Sequence, residues 1–133
     1  MNEWEIYETD EVRDWITALD DLSHRLVVQA IDILADRGPT LGRPLVDHVE
    51  HSTVQNLKEL RPGSAGRSEL RILFAFDPWR SAILLVAGDK SGNWRQWYRQ
   101  AIPRAEQLLE IYLKERAQEE GGRDVHEVVA DPG

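Results

Sequence analysis

Five side chains in the middle of this sequence have the types that chemistry on a polynucleotide phosphate uses: Glu59, Arg61, Arg71, Lys90 and Tyr98. Arginine forks recognise phosphate oxygens and stabilise the extra negative charge of a pentavalent phosphorus transition state. Cleavage of RNA also removes a 2'-hydroxyl proton and delivers one to the leaving 5'-oxygen, the work of a general base and a general acid. Glu59 is a candidate base and Asp89 a weaker one, while Tyr98 or Lys90 can supply a proton. Beside them, the stretch G-D-K-S-G-N-W-R-Q-W-Y-R, Gly88 to Arg99, packs three cations and three aromatics between Lys90 and Arg99. Trp94 or Trp97 can stack on an unpaired base. Lys58, Trp94, Arg95 and Arg99 are the candidate RNA contacts.

Each of these residues also has a plainer reading. Arg71 beside Glu59 or Glu69 across a hairpin makes a cross-strand ion pair. Trp94, Trp97 and Tyr98 at helical spacing make a core or interface stripe. Only their convergence on one concavity raises the chemical reading. The four histidines, His24, His48, His51 and His126, lie outside the basic segment, so the local sequence does not suggest a histidine-paired mechanism. His48 and His51 have a spacing that holds metal on a helix, but no third ligand is evident, and neither metal nor cofactor is expected.

Convergence depends on the elements that carry these residues. W-E-I-Y (4 to 7) alternates like a short strand. Thr9 or Asp10 can cap a helix with Val12, Trp15, Ile16, Leu19 and Leu22 on one stripe, and Ser23 a second with Leu26, Val27, Ala30, Ile31 and Leu34, ending at Gly38-Pro39. Residues 38 to 53 read as a connector. Three strand-like runs follow, at 54–61, 68–76 and 82–88, joined by P-G-S-A-G and Asp77-Pro78. In the second run Leu70, Ile72, Phe74 and Phe76 share a face opposite Arg71, Leu73 and Ala75. The third is apolar on both faces, as a covered central strand is. Arg61 and Arg71 then sit on adjacent strands of an antiparallel meander. Asn93 can cap a short helix, and Pro103 fits the first turn of another bearing Ala105, Leu108, Leu109, Tyr112 and Leu113.

The chain of 133 residues has the size of one domain, with no cysteine and a formal net charge of -8. No run approaches the roughly 20 apolar residues that span a bilayer, and the N-terminal acids do not suit a signal peptide, so a cytoplasmic protein without a membrane partner is expected. Charge is uneven: residues 57–104 carry nine cations against four acids, while 1–56 sum to -8 and 105–133 to -5. A basic face on an acidic body is compatible with a nucleic-acid partner. The folded domain is placed at 1–117 and an acidic, flexible tail at 118–133.

The ordered set L-K-E-L-R, a glycine-containing hairpin, L-R-I-L-F-A-F-D, A-I-L-L-V-A-G-D-K and W-Y-R-Q-A-I-P-R-A resembles the RelE/ParE superfamily of bacterial and phage toxins. The likeness is greatest to its HigB-like, phage-derived Gp49-like branch and covers about residues 4 to 114. It implies an α+β, RelE-like fold: two N-terminal helices packed on a mainly antiparallel sheet of about four strands, with C-terminal helices. It also implies a type II toxin, a metal-independent endoribonuclease that cleaves mRNA on the ribosome and inhibits translation. The partners it implies are mRNA, the ribosome and a neutralising antitoxin of the helix-turn-helix DNA-binding type, held in a hetero-oligomer.

By position, Arg71 matches the family's middle-strand arginine that acts on the scissile phosphate, and Arg61 falls where the preceding strand is usually basic. Lys90 matches the basic position after the last strand, and Tyr98 approximates a C-terminal tyrosine that some members use in catalysis. The chain departs from the family where Leu57 and Glu59 replace the lysines of the best-studied RelE members, so base and acid stay open. Two other readings stand beside this one: a ParE-like DNA gyrase poison, and a catalytically inactive interaction domain of the same fold.

Overall fold

In the computed structural model, which describes residues 4–53, 56–63 and 66–130 with side chains as far as Glu120, β1 (Glu5–Glu8) leads into α1 (Asp10–Thr17) and α2 (Asp21–Arg37). Strands β2 (Val46–His48), β3 (Lys58–Leu60), β4 (Leu70–Phe76) and β5 (Ser81–Asp89) follow, and α3 (Trp94–Ala130) completes the chain. The sheet order is β1-β5-β4-β3-β2. All neighbours are antiparallel except β1, which lies parallel to β5 at one edge. The α+β class and the two N-terminal helices are as expected.

Local chemistry accounts for most boundaries. Thr9 Oγ1 accepts from Val12 N at 3.3 Å and caps α1, while donating to the Leu85 carbonyl of β5 at 2.9 Å. The apolar stripe expected to reach Leu22 stops earlier, because Asp20 starts a new helix and leaves Leu22 half exposed. Ser23, expected as that cap, is instead buried within the first turn of α2. Gly38 ends α2 at a φ of 58°, where a side chain would be strained and would also meet the Trp4 indole.

Three expectations are corrected. The connector contains β2, so the sheet has five strands. Of the strand expected over 54–61 only Lys58–Leu60 is regular strand, with single backbone hydrogen bonds at Leu57 and Arg61 on either side, and residues 54 and 55 lie outside those described. The two C-terminal helices are one: α3 runs through Pro103. A proline inside a helix removes one backbone hydrogen bond, at a cost of about 3 kcal/mol. Here Pro103 faces solvent together with Arg99, whose carbonyl loses its partner, while Ala101, Ala105 and Leu109 stay buried on the sheet side of both turns. The expected boundary at 117/118 falls within α3, and the tail beyond Glu120 lies outside the described side chains.

Helices cover both faces of the sheet. On one side Val12, Val27, Ala30 and Leu34 of α1 and α2 pack on Leu60, Ile72, Phe74, Ala82 and Leu84. On the other, Ala101, Ala105 and Leu109 of α3 pack on Leu57, Leu73, Ala75, Ile83, Leu85 and Val86. A register shift between Leu73, paired with Val86, and Phe74, paired with Leu84, leaves Leu85 as an extra residue. This bulge lets the consecutive Leu85 and Val86 both enter the α3-side core.

The far end of the sheet is closed by the turn after β4. Asp77 Oδ1 accepts from Trp79 N at 2.8 Å and Ser81 N at 2.9 Å, and its Oδ2 accepts from the Tyr112 hydroxyl of α3 at 2.6 Å. Burial and Asp77 both push the Tyr112 phenol up. Arg116 donates to the Tyr112 oxygen at 3.0 Å and lies over the rings of Tyr7, at 5.0 Å, and Trp79, at 5.5 Å. Phe74, edge-on to Phe76 at 5.4 Å, is the largest fully buried side chain of the opposite core. Phe74→Ala is expected to cost about 3–5 kcal/mol, read as a lower midpoint in urea denaturation.

Candidate functional site

At the other end of the same strands the α3-side face turns polar. Cross-strand partners share a face, and Glu59 stands opposite both Asp47 and Leu73, while Arg71 stands opposite Gly88. Leu73 belongs to the α3-side core. Alternation therefore places Asp47, Glu59, Arg61, Arg71 and Gly88 on that side too. The first turns of α3 bring Tyr98 over this patch, with Asn93 Oδ1 accepting from Gln96 N at 3.3 Å at the start of the helix.

Glu59 is the centre of the cluster, and it is 2% exposed. Its Oε1 accepts from Arg61 Nε at 2.9 Å, and the Tyr98 hydroxyl lies 2.8 Å from Oε2 and 3.0 Å from Oε1. Arg71 Nε is 3.3 Å from the same Oε1, an ion pair without hydrogen-bond alignment, while Arg71 Nη1 donates to the Leu70 carbonyl at 2.8 Å. Arg61 Nη2 lies 3.3 Å from Asp47 Oδ2, which also meets Arg43 Nε at 3.2 Å. Burial, then the hydrogen bond and charge of Glu59, push the Tyr98 phenol up to about 12. Tyr98 therefore holds its proton through the neutral range, where the hydroxyl donates a hydrogen bond to Glu59.

Around this centre, Lys90 Nζ lies 5.8 Å from the Tyr98 ring centroid. Its loop is fixed by Lys90 N, which donates to the Glu69 carbonyl at 3.0 Å, and by Asp89 Oδ1, which accepts from Glu69 N at 3.0 Å and Ser91 N at 2.9 Å. Burial pushes the Asp89 carboxyl up, but a hydrogen bond from the Ser91 side chain, then those from Glu69 N and Ser91 N and the Arg71 charge, outweigh it and hold the group below the usual carboxylate range. Trp97 packs edge-on to Tyr98 at 5.0 Å and lies over Gly88, where any Cβ would collide with the indole. Trp94 is about half exposed, 6.4 Å from Tyr98, with the Arg95 guanidinium 5.2 Å over its ring.

Four of the five expected catalytic residues, Glu59, Arg61, Arg71 and Tyr98, are in direct contact, and Lys90 borders them. The first plain reading holds as well, since Arg71 and Glu59 are a cross-strand ion pair, and the second holds for Trp97 and Tyr98, which pack on the α3-side core, but not for Trp94. Trp94, Arg95 and Arg99 form an exposed flank on α3. Lys58 does not join them, because alternation turns it from the face of Glu59 toward a groove shared with Pro39, Arg43 and His48. Arg71 is also not the solvent-side arginine that a bare meander suggests, since its side chain is only 14% exposed. Sequence reasoning missed Asp47, hidden in the connector, and Gly88, whose place opposite Arg71 leaves room for Trp97. Among the described residues no group of three or more His, Cys, Asp or Glu is placed to hold a metal ion, and no helix is long and apolar enough to cross a membrane.

The raised Tyr98 phenol has a pH consequence. A group whose proton is held more tightly in the folded state stabilises it fully below the ordinary tyrosine value, here 10.0, and loses that contribution as pH rises through its folded value of about 12. Tyr98→Phe is expected to lose less stability than wild type across that alkaline interval, as measured by denaturation at fixed pH.

Comparison with known proteins gives the family. Residues 14–110 match the family model described as phage derived protein Gp49-like. The chain is 50% identical over 106 residues to "Putative toxin HigB2" of Mycobacterium tuberculosis, a match covering 80% of this chain and 53% of that protein. It is 54% identical over 112 residues to "Putative toxin HigB3" of the same organism, covering 84% of this chain and 93% of that protein. The chain thus spans about half the length of the first relative and nearly all of the second. With a matched segment running from α1 into α3, a RelE-compatible layering and relatives at this identity, the chain belongs to the Gp49-like family, in the HigB-like branch of the RelE/ParE superfamily.

Proposed function

We propose that this protein is the toxin of a type II toxin–antitoxin pair, and that it cleaves mRNA on the ribosome without a metal ion, so inhibiting translation in the cytoplasm until its antitoxin binds. The observation that carries the reading is the convergence of Arg61, Arg71 and Tyr98 on one face, with Lys90 beside them. The toxin names of two relatives add support. Arg71 and Arg61 bind the scissile phosphate and stabilise the charge that develops on it. As the 2'-oxygen bonds to phosphorus and the bond from phosphorus to the 5'-oxygen breaks, Tyr98, with the Lys90 ammonium nearby, supplies the proton to the leaving 5'-oxygen. Solvent water takes the 2'-hydroxyl proton and restores that of Tyr98. The exposed flank of Trp94, Arg95 and Arg99 takes the neighbouring nucleotides, a ring for stacking and cations for phosphates. The acidic N-terminal helices meet a basic surface of a helix-turn-helix antitoxin.

The test is induced expression in a bacterial host without antitoxin, with mRNA 5' ends mapped by primer extension. Wild type is expected to give new in-frame cuts within translated regions. Arg71→Ala should reduce them by about 100-fold or more, the scale of losing one transition-state donor. Arg71→Lys keeps the charge in this largely buried position but not the fork, so it should fold like wild type and still cut poorly. Growth arrest without cuts would move the assignment to a gyrase poison. Absence of arrest would leave an inactive interaction domain, a reading favoured by the internal neutralisation of both guanidiniums.

A further inference from the structure

We infer that Glu59 is not the base but a positioning residue: its buried carboxylate sets the Arg61 and Arg71 guanidiniums and the Tyr98 hydroxyl in the arrangement that receives the scissile phosphate. The inference rests on the ribonuclease reading above for its catalytic consequence, and on geometry for the rest. A general base needs a lone pair within hydrogen-bond reach of the substrate hydroxyl. Glu59 is 2% exposed, lies between β3 and α3, and already faces three donors of its own protein. One acceptor holding all three fixes their mutual spacing, and spacing is what an oxyanion-binding set must have before substrate arrives.

The alternative arrangements cost more. Without the carboxylate, the Arg71 side chain, 14% exposed and with its Nε buried, loses its closest counter-charge and keeps the Leu70 carbonyl, the Tyr98 oxygen and the charge of Asp89. Arg61 still has Asp47 at 3.3 Å and would swing toward it, away from Arg71. Tyr98 would lose its carboxylate acceptor, with only Trp97, Trp94 and Lys90 to set the ring. A glutamine at this position has the same size but no charge and a single acceptor oxygen, so it weakens the hold on both guanidiniums and can turn the Tyr98 hydroxyl from donor to acceptor.

The decisive experiment compares wild type with Glu59→Gln and Glu59→Asp in purified ribosome-programmed cleavage across the acid and neutral pH range. In parallel, the tyrosines of the free proteins are titrated by carbon-13 NMR, with Tyr98 assigned from Tyr98→Phe. For a positioning carboxylate, Glu59→Gln should cut about 100-fold more slowly with the shape of the pH profile unchanged. Its Tyr98 should titrate below the wild-type value of about 12, closer to 10.0. Glu59→Asp, which keeps the charge but withdraws it, should fall between and guards against a folding defect in the glutamine variant. If Glu59→Gln instead abolishes an acidic limb present in wild type, Glu59 is the base and the inference is overturned. If wild type does not cut, the ribonuclease reading fails by itself. The Tyr98 titration then decides whether Glu59 holds the cluster, and an unmoved value would overturn that too.

Discussion

The constraint on which the structure turns is that β4 and β5 are covered on both faces. A strand pair buried in this way has no solvent to satisfy polar side chains along its length, so Leu70–Phe76 and Ser81–Asp89 carry apolar residues through their middle and polar chemistry only at their ends. At one end stand Arg71 and Gly88, and at the other Asp77. Both ends are closed by α3 in the same manner, a tyrosine hydroxyl on a buried carboxylate: Tyr98 on Glu59 and Tyr112 on Asp77. The two tyrosines are about 21 Å apart along the helix at 1.5 Å per residue. Arg71 and Asp77 are about 20 Å apart along an extended strand. Helix and sheet are therefore held in a single register, and the start of α3 cannot slide away from the arginines.

That register explains why the polar cluster can be both a structural joint and a site. Structural joints are satisfied internally, as Asp77 is by two backbone N–H groups and Tyr112. The Glu59 end is built from the same parts but holds two guanidiniums on one carboxylate, with the Arg61 side chain 36% exposed and Lys90 at its edge. There the two guanidiniums are answered by Glu59 and Asp47, and the Arg61 head stays partly open to solvent, unlike the closed Asp77 joint. The positive charge of residues 57–104 is divided: Arg61, Arg71, Lys90, Arg95 and Arg99 lie at this end, whereas Lys58 turns to the other face, Arg80 lies over Trp4 and Arg104 pairs with Glu11.

Close approach is the other requirement of this end. Trp97 reaches the sheet only because the residue opposite Arg71 is glycine. The indole then fills the space between α3 and β5 and backs the Tyr98 ring. Exposed Trp94, one turn earlier, has no such support and is left with Arg95 stacked on it. Two tryptophans three residues apart thereby divide into a packing role and a surface role.

What the sequence determined by itself is everything whose cause is local. The period of two in L-R-I-L-F-A-F put Arg71 on the face opposite Phe74, and the same period set Glu59 and Arg61 together. The spacing of Val27, Ala30 and Leu34 defined the buried stripe of α2, and Thr9 and Gly38 marked helix ends through caps a few residues away. Only the tertiary structure decided what depends on distant partners. Val46–His48 is too short to show a period and is a strand because β3 lies beside it. Pro103 stays within a helix because burial on both sides of it outweighs one missing hydrogen bond. Glu59 reads as an exposed base on a strand until α3 closes over it with Tyr98, since burial of a polar side chain is settled by what packs upon it, and no neighbour in the sequence records that.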